Sequence, residues 1–491
     1  MMQFKLKTIT FALIASGVLL NTHLAVADDA ADLQALKQTI QELDQKIKIL
    51  ERKNEIADED AAAAKKSTPL VVAGDSGFSI KSADNQFQYN LKGLVQLDYR
   101  TFNQATLRQG ATNGFDARLI RPTFEGTLYG KYDFRFTPEF GESDVQTSTN
   151  AATGSNNNKT RIVDAYVEGR FQPWLKVRVG KFTPYVGLER LQANQDTKWI
   201  ERSYVSNNIT PTRDEGISVG GDVLGNKLNY AVGVYNGVID GGESSTGVDG
   251  NNNKDLALRL FATPFRDDVN VLQGLGFGIA STYGSANGNT TASNLPSYKT
   301  PGQQVNFFSY TNTRATGTHL RIVPQAYYYY GPLGVIAEYA SVEQGVAGTS
   351  TSGATANSNQ KNNLQNDAWQ VAVSYLLTGE DASYKGVKPK SNFDTATSGW
   401  GAWEILARYQ ENNIDDNAFT TATAVKYASP TSNAKSAKTW GIGLNWYLNQ
   451  YVKVATDYEQ TSFDGGGGGT VANPLDRADE RILFSRLQLS F

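Results

Sequence analysis

Between Gln86 and Arg100 the chain alternates. Phe87, Tyr89, Leu91, Gly93, Val95, Leu97 and Tyr99 occupy one parity; Gln86, Gln88, Asn90, Lys92, Gln96, Asp98 and Arg100 occupy the other, with Leu94 the exception. Successive side chains of a strand point to opposite faces, so this stretch predicts a ribbon with one apolar and one polar face. A soluble antiparallel sheet can carry that pattern, and a membrane barrel must, with lipid outside and water inside. Recurrence decides between them. Ile120, Phe124 and Leu128 alternate with Arg121, Thr123, Glu125 and Thr127. Tyr132, Phe134 and Phe136 alternate with Asp133, Arg135 and Thr137, and Trp440, Ile442, Leu444 and Trp446 with Gly441, Gly443, Asn445 and Tyr447. The pattern predicts an all-β chain: about sixteen antiparallel strands closing a transmembrane β-barrel over residues 77–491.

The connections support closure. Those after odd strands are long, and those after even strands are mostly short, as at Gly130, Gln172-Pro173, Gly225, Gly331 and Asn449-Gln450. Long loops at one end and tight turns at the periplasmic end are the outer-membrane arrangement, and an even count puts both termini with the turns. One connection, Gly379–Gly399, is long yet falls on the turn side. The last strand sets Leu483, Ser485, Leu487, Leu489 and Phe491 on one face. An amphipathic closing strand that ends on an aromatic resembles the assembly signal of outer-membrane barrels.

The first residues read differently. Lys5 and Lys7, an apolar stretch Ile9–Leu20 and the small residues Ala25-Val26-Ala27 predict a signal peptide over 1–27. Residues 28–56 carry Leu33, Leu36, Ile40, Leu43, Ile47 and Leu50 at spacings of 3, 4, 3, 4 and 3, a heptad seam predicting a periplasmic coiled-coil helix. Ile at a with Leu at d favours two strands and a trimeric barrel would want three, so dimer and trimer stay open. Residues 57–76, with four alanines and Lys65-Lys66, read as a linker.

Composition narrows the partners. The 491 residues include 46 glycines and 24 tyrosines but no cysteine, and the net charge is −3. Bulk charge predicts no nucleic-acid partner. The expected surroundings are the outer-membrane bilayer and its lipopolysaccharide. The mature chain keeps one histidine, His319, read as a solvated residue at a loop edge, so an enzyme is not expected. No cofactor and no transition-metal site are expected. The glycines of 464–470 lack the Lys-Ser/Thr ending of a phosphate-binding loop.

The candidate chemistry is cationic. The third long connection, Thr183–Asp214, carries Arg190, Lys198, Arg202 and Arg213 against Glu189, Asp196, Glu201 and Asp214. Lumen-parity cations nearby include Arg121, Arg135 and Arg178, sharing their face with Glu125, Asp164 and Glu168. Rings of Arg and Lys favour small anions, because the guanidinium offers a planar donor fork to oxyanions. Paired rows of opposite charge would instead set up a transverse field with little selectivity. Both readings stay open on the residues alone.

Several blocks resemble the phosphate-selective porin O and P family: ARLIRPTFEGTLYGKYDFRF at 117–136, DAYVEGRF at 164–171, VRVGKFTPYVGLERL at 177–191, WIERS at 199–203, YLLTGEDASYKGVKP at 375–389 and GWGAWEILARY at 399–409. The resemblance implies a homotrimeric sixteen-stranded barrel passing phosphate or polyphosphate, with the long 379–399 connection as a family feature. It places the family's basic cluster on Arg118 and Arg121, with Leu119 where a further Arg is expected, and its Gly-Lys-Phe block on Gly180-Lys181-Phe182. Arg118 shares the outward parity of Ile120, and Lys181 that of Val179; Lys181 reaches the lumen only if a bulge at Gly180 shifts the register. A general porin, and a barrel that tethers the envelope through its coiled coil, are the alternative functions.

Overall fold

The computed structural model describes residues 29–74, 77–141, 160–244, 252–289, 292–349, 360–419 and 427–491. The signal peptide expected over 1–27 lies outside them. Residues up to Thr68 and from Pro69 onward form two separate units.

The second unit is a closed antiparallel barrel of sixteen strands. They are β1 (Gln88–Phe102), β2 (Gly114–Leu128), β3 (Tyr132–Glu139), β4 (Arg161–Gln172), β5 (Leu175–Phe182) and β6 (Asp214–Val223). β7 (Leu228–Tyr235), β8 (Asp255–Ala262), β9 (Leu275–Ser285), β10 (Thr313–Tyr330) and β11 (Leu333–Gly348) follow. The wall ends with β12 (Lys361–Leu376), β13 (Ala402–Asn413), β14 (Ala434–Tyr447), β15 (Val452–Gly469) and β16 (Glu480–Ser490). β16 pairs with β1 from Ile482↔Phe102 to Ser490↔Leu94, so no edge is left along the wall. Turns of two to four residues make the short connections. At Tyr129-Gly130 both central residues have positive φ, 52° and 63°, the twist that matches paired strands.

The wall is uneven. β3, β5, β7 and β8 have 8 residues each, whereas β10 and β15 have 18. β15 runs through the glycines of 465–469. Outward positions such as Leu97, Val179, Ile217, Leu258, Ile442 and Leu487 are exposed, as a lipid-facing surface requires. Aromatics gather near the short turns, where Trp403 stacks on Trp446 at 5.0 Å.

The seam has its own cover. β1 runs four paired residues past the end of β16, and a strand at Gly77–Lys81 takes that vacated edge, Phe78↔Leu91 through Lys81↔Gln88. Leu70–Gly74 pairs along its other side. The terminal Phe491 exchanges both backbone hydrogen bonds with Gly93, at 2.9 and 3.0 Å, and its ring meets Phe78 edge-on at 6.1 Å. A Cβ on Gly93 would stand 2.4 Å from that ring. Gly93→Val is therefore expected to displace the last residue and destabilise the closed barrel by about 1–3 kcal/mol. Heat-modifiable migration on gels would show the folded form converting several degrees lower; an unchanged midpoint would mean the seat is not used.

The first unit is one helix, Asp29–Ser67. It continues well past the boundary expected at residue 56, because alanine, four of which follow at 61–64, is the best helix former. Leu33, Leu36, Ile40, Leu43, Ile47 and Leu50 are all more than half exposed along it. Among the described residues no helix is long and apolar enough to cross a membrane.

Three connections fill much of the lumen. The third loop (183–213) enters it. The loop after β9 (286–312) sends in a small hairpin, Ser297–Lys299 with Asn306–Ser309. There Tyr298, Phe307 and Phe308 pack with Tyr204, Val205 and Ile209 of the third loop and with Phe419. The long connection on the turn side (377–401) rises from the opposite end. Its Tyr384 donates to the Leu188 carbonyl at 2.5 Å and its carbonyl accepts from Gln192 at 2.7 Å. The third loop is thus held from both ends.

Candidate functional site

The third loop lies against the high wall. Ile200 N–H donates to Asp457 Oδ2 at 2.7 Å, and the Ile200 carbonyl accepts from Arg486 at 2.8 Å. Tyr204 N–H donates to Gln410 at 2.8 Å, and Lys453 donates to the Thr197 carbonyl at 2.7 Å. Its short helix Leu188–Leu191 is capped by Glu338 of β11, which accepts from the Leu188 and Glu189 N–H groups. Glu201 is the main anchor. It is 4% exposed and accepts from Arg100 at 2.8 Å and Arg118 at 3.0 Å. Burial opposes its charge, yet Arg118, Arg100 and Arg486 hold its carboxyl down at about 2.

Pressed to that side, the loop leaves open space along the low wall, in two chambers. One, about 690 Å³, lies toward the short turns, with Lys92, Arg135, Arg178, Lys385, Lys388 and Lys453 in its lining. The other, about 450 Å³, lies toward the long loops, with Arg118, Arg161, Arg202 and Arg486. Four residues line both: Arg121, Arg190, Asn194 and Arg213. They form the neck.

Three of the four are arginines, each arriving by a different route. Arg121 projects from β2 and is bonded to the fully buried Glu139 behind it. Arg213 closes the third loop and donates from Nε to Asp164 at 2.7 Å. Arg190 stands on the loop helix and bonds to the Ser206 carbonyl and to Asn207 Oδ1, at 2.9 Å for the latter. Among the described residues its Nε finds no acceptor. Burial, with Arg202 and Arg213 close by, pulls its pKa well below the usual arginine range. A guanidinium so placed gains by any anion that comes between it and its neighbours.

The carboxylates stand behind the cations. Glu139, Glu125 and Glu168 hold Arg121, Arg135 and Arg178, and none of the three lines a chamber. The chamber nearer the turns presents nine basic side chains against Asp164 and Asp196; the other presents eight against Glu201, Asp240 and Glu243. Arg178 also lies 4.2 Å over the Tyr166 ring. Opposite rows are present, as one reading held, but they are layered so that the water meets cations.

Burial raises Asp196 to about 6, against the pull of Lys453 and Lys385. Neutral below that pH and charged above it, Asp196 adds a negative charge to the chamber as pH rises. Anion preference is expected to fall modestly between pH 5 and 7, and Asp196→Asn to remove the step. Zero-current potentials across that range measure it.

Seven of the nine expected cations line the space: Arg118, Arg121, Arg135, Arg178, Arg190, Arg202 and Arg213. Arg118 gets there against its parity. A bulge in the β1–β2 ladder between Gln96↔Leu119 and Asp98↔Asp116 sets two residues opposite one and turns Arg118 inward. Lys198 does not line the chambers; its ammonium is bonded to the buried Glu404. Lys181 stays on the outward face, because β5 keeps register through Gly180, and its ammonium donates to the Ser244 carbonyl at 2.6 Å. Gly180 has φ 129° and a Cβ there would stand 2.2 Å from the Ala165 carbonyl oxygen, so the glycine serves close strand approach and not a bulge. His319 is not solvated: it is 3% exposed and 3.0 Å from Asp240, which Arg321 and Tyr298 also hold. Arg486, Arg161, Asn194, Lys385, Lys388 and Lys453 were missed. Arg486 lies on the polar parity of the closing strand, a readable signal; Lys385 and Lys388 enter only through the folding of the 377–401 connection. Among the described residues no cluster of metal-ligating side chains occurs.

The chain is similar to several known proteins. Porin O of Pseudomonas aeruginosa is 23% identical over 459 residues, covering 86% of this chain and 92% of that one. The outer membrane channel DcaP of Acinetobacter baumannii superposes with a TM-score of 0.50 at 13% identity, covering 84% of this chain and 99% of its own. An anion-selective porin from Comamonas acidovorans reaches 0.48 at 10% identity, covering 82% and 100%. The sequence profile of the phosphate-selective porin O and P family matches residues 87–491, which hold the whole barrel from β1 to β16, and the chain belongs to that family.

Proposed function

We propose that the protein is a passive, anion-selective channel of the Gram-negative outer membrane that conducts phosphate-type oxyanions and catalyses no reaction. The observation that carries this reading is the neck of Arg121, Arg190 and Arg213, with Asn194 as the fourth member. An anion entering from the long-loop side exchanges water for the guanidinium forks of the outer chamber. It then passes three arginines in succession and leaves through a chamber rich in lysine. Conduction needs binding strong enough to admit the ion and weak enough, over several sites, to release it. Glu139 and Asp164 serve that balance: they hold Arg121 and Arg213 in place and offset part of their charge.

The helix faces the periplasm in this reading, and the working form is a homotrimer. The exposed Leu/Ile seam of the helix supports self-association. The test is the zero-current potential of the purified full-length protein in a planar bilayer under a KCl gradient, repeated with added phosphate. An anion-selective potential with chloride current reduced by phosphate supports the reading. A cation-selective or near-zero potential overturns it. Anion selectivity without phosphate block leaves a general anion porin.

A further inference from the structure

Beside the bulge that turns Arg118 inward, Leu119 keeps the lumen parity of Arg121; it pairs with the lumen residue Gln96 and lines the outer chamber. Apart from Gly114 at its end, the other lumen positions of β2 are polar or charged: Asp116, Arg118, Arg121, Thr123, Glu125 and Thr127. An apolar side chain therefore stands between two arginines of the conduction path. It is not alone. Val163 lines the same chamber, and so does Ile239, which is 39% exposed although it lies on a lumen loop. Ile239 is fixed there by its neighbour, since Asp240 is locked by Arg321 at 2.8 Å and His319 at 3.0 Å.

A water-filled path for inorganic ions gains nothing from a braced, half-open isoleucine. A chamber of about 450 Å³ is also larger than a bare phosphate and within the range of small-molecule sites. Resting on the anion-channel reading above, we infer that the outer chamber is a binding site for organic oxyanions, phosphates or carboxylates carrying a compact aryl or short alkyl group. The oxyanion sits on Arg118, Arg121 and Arg202, and the apolar part lies on Leu119 and Ile239. Leu119 is then the residue that sets the preference for a substituted over an inorganic phosphate.

The test compares phenyl phosphate with inorganic phosphate as blockers of chloride current at pH 8, where both are dianions and differ by the ring. Burying part of a phenyl ring corresponds to an affinity gain of about tenfold, so half-block by phenyl phosphate is expected at about one tenth the concentration. Leu119→Arg is expected to abolish that advantage and to strengthen block by inorganic phosphate. Ile239→Ser, a loop substitution that leaves the wall untouched, is expected to cut the advantage about threefold. Equal block by the two ions in the natural protein overturns the inference, as does an advantage that survives both substitutions. If the channel shows no anion selectivity at all, the anion-channel reading fails with it; if it is anion-selective but blind to the ring, this inference alone fails.

Discussion

A chain carrying Arg121→Gln, Arg190→Gln and Arg213→Gln is expected to lose most of its anion preference, with chloride-over-potassium permeability falling at least tenfold. Two unit charges 4 Å apart in bulk water interact by about 1 kcal/mol, and more where the walls exclude water. Three guanidinium groups at one neck therefore bias an ion by several kcal/mol, and glutamine keeps hydrogen-bonding capacity while withdrawing the charge. Asp164 and Glu139 lose their partners in this variant, so the neck turns negative and the zero-current potential moves toward cations. The control is Lys181→Gln. Lys181 is as basic in sequence and adjoins the same blocks, but it faces outward and bonds to a carbonyl that glutamine can also meet. Its potential is expected to match the natural protein. If Lys181→Gln shifts the potential as far as the triple change does, the neck lies elsewhere.

How far the chain could be read in advance follows from the physics of each part. The barrel was legible because lipid enforces alternation on every strand, and sixteen repetitions leave little ambiguity. The turns were legible because tight hairpins need positive φ. Lumen residues were legible wherever parity was unbroken, as at Arg121, Arg135 and Arg178. Parity failed at Arg118, where one extra residue in β2 reversed the face, and the sequence ARLIRP carries no mark of that bulge. It also could not separate Lys198 from Arg190. Both lie on the third loop, and which one meets water depends on a buried glutamate contributed by β13, more than 200 residues away. The 377–401 connection was visible as an anomaly of length, but its entry into the lumen rests on Tyr384 and Gln192 meeting across the fold. His319 looked like a loop-edge residue because Asp240, its partner, sits on a different loop.

Glu201 makes the second large prediction, since one carboxylate holds the third loop to the wall through Arg100 and Arg118 and has Arg486 near it. Glu201→Gln leaves buried guanidinium groups without their anion, a change that costs about 3–5 kcal/mol. The barrel wall is independently closed by its ladders, so the loss falls on the loop. The expected result is a folded barrel of normal heat-modifiable migration whose single-channel conductance is larger and noisier, with weaker block by phosphate. The pH dependence fixes the sign. With its pKa depressed to about 2, Glu201 stabilises the loop fully above the ordinary carboxylate range near 4.5, and that stabilisation is lost as pH falls toward 2. The natural protein should therefore stay quiet down to about pH 4 and grow noisy below, whereas Glu201→Gln should be noisy at pH 7 and change little on acidification. A quiet, unchanged channel in the variant would mean that the other contacts, Asp457 on Ile200 and Gln410 on Tyr204 among them, hold the constriction without it.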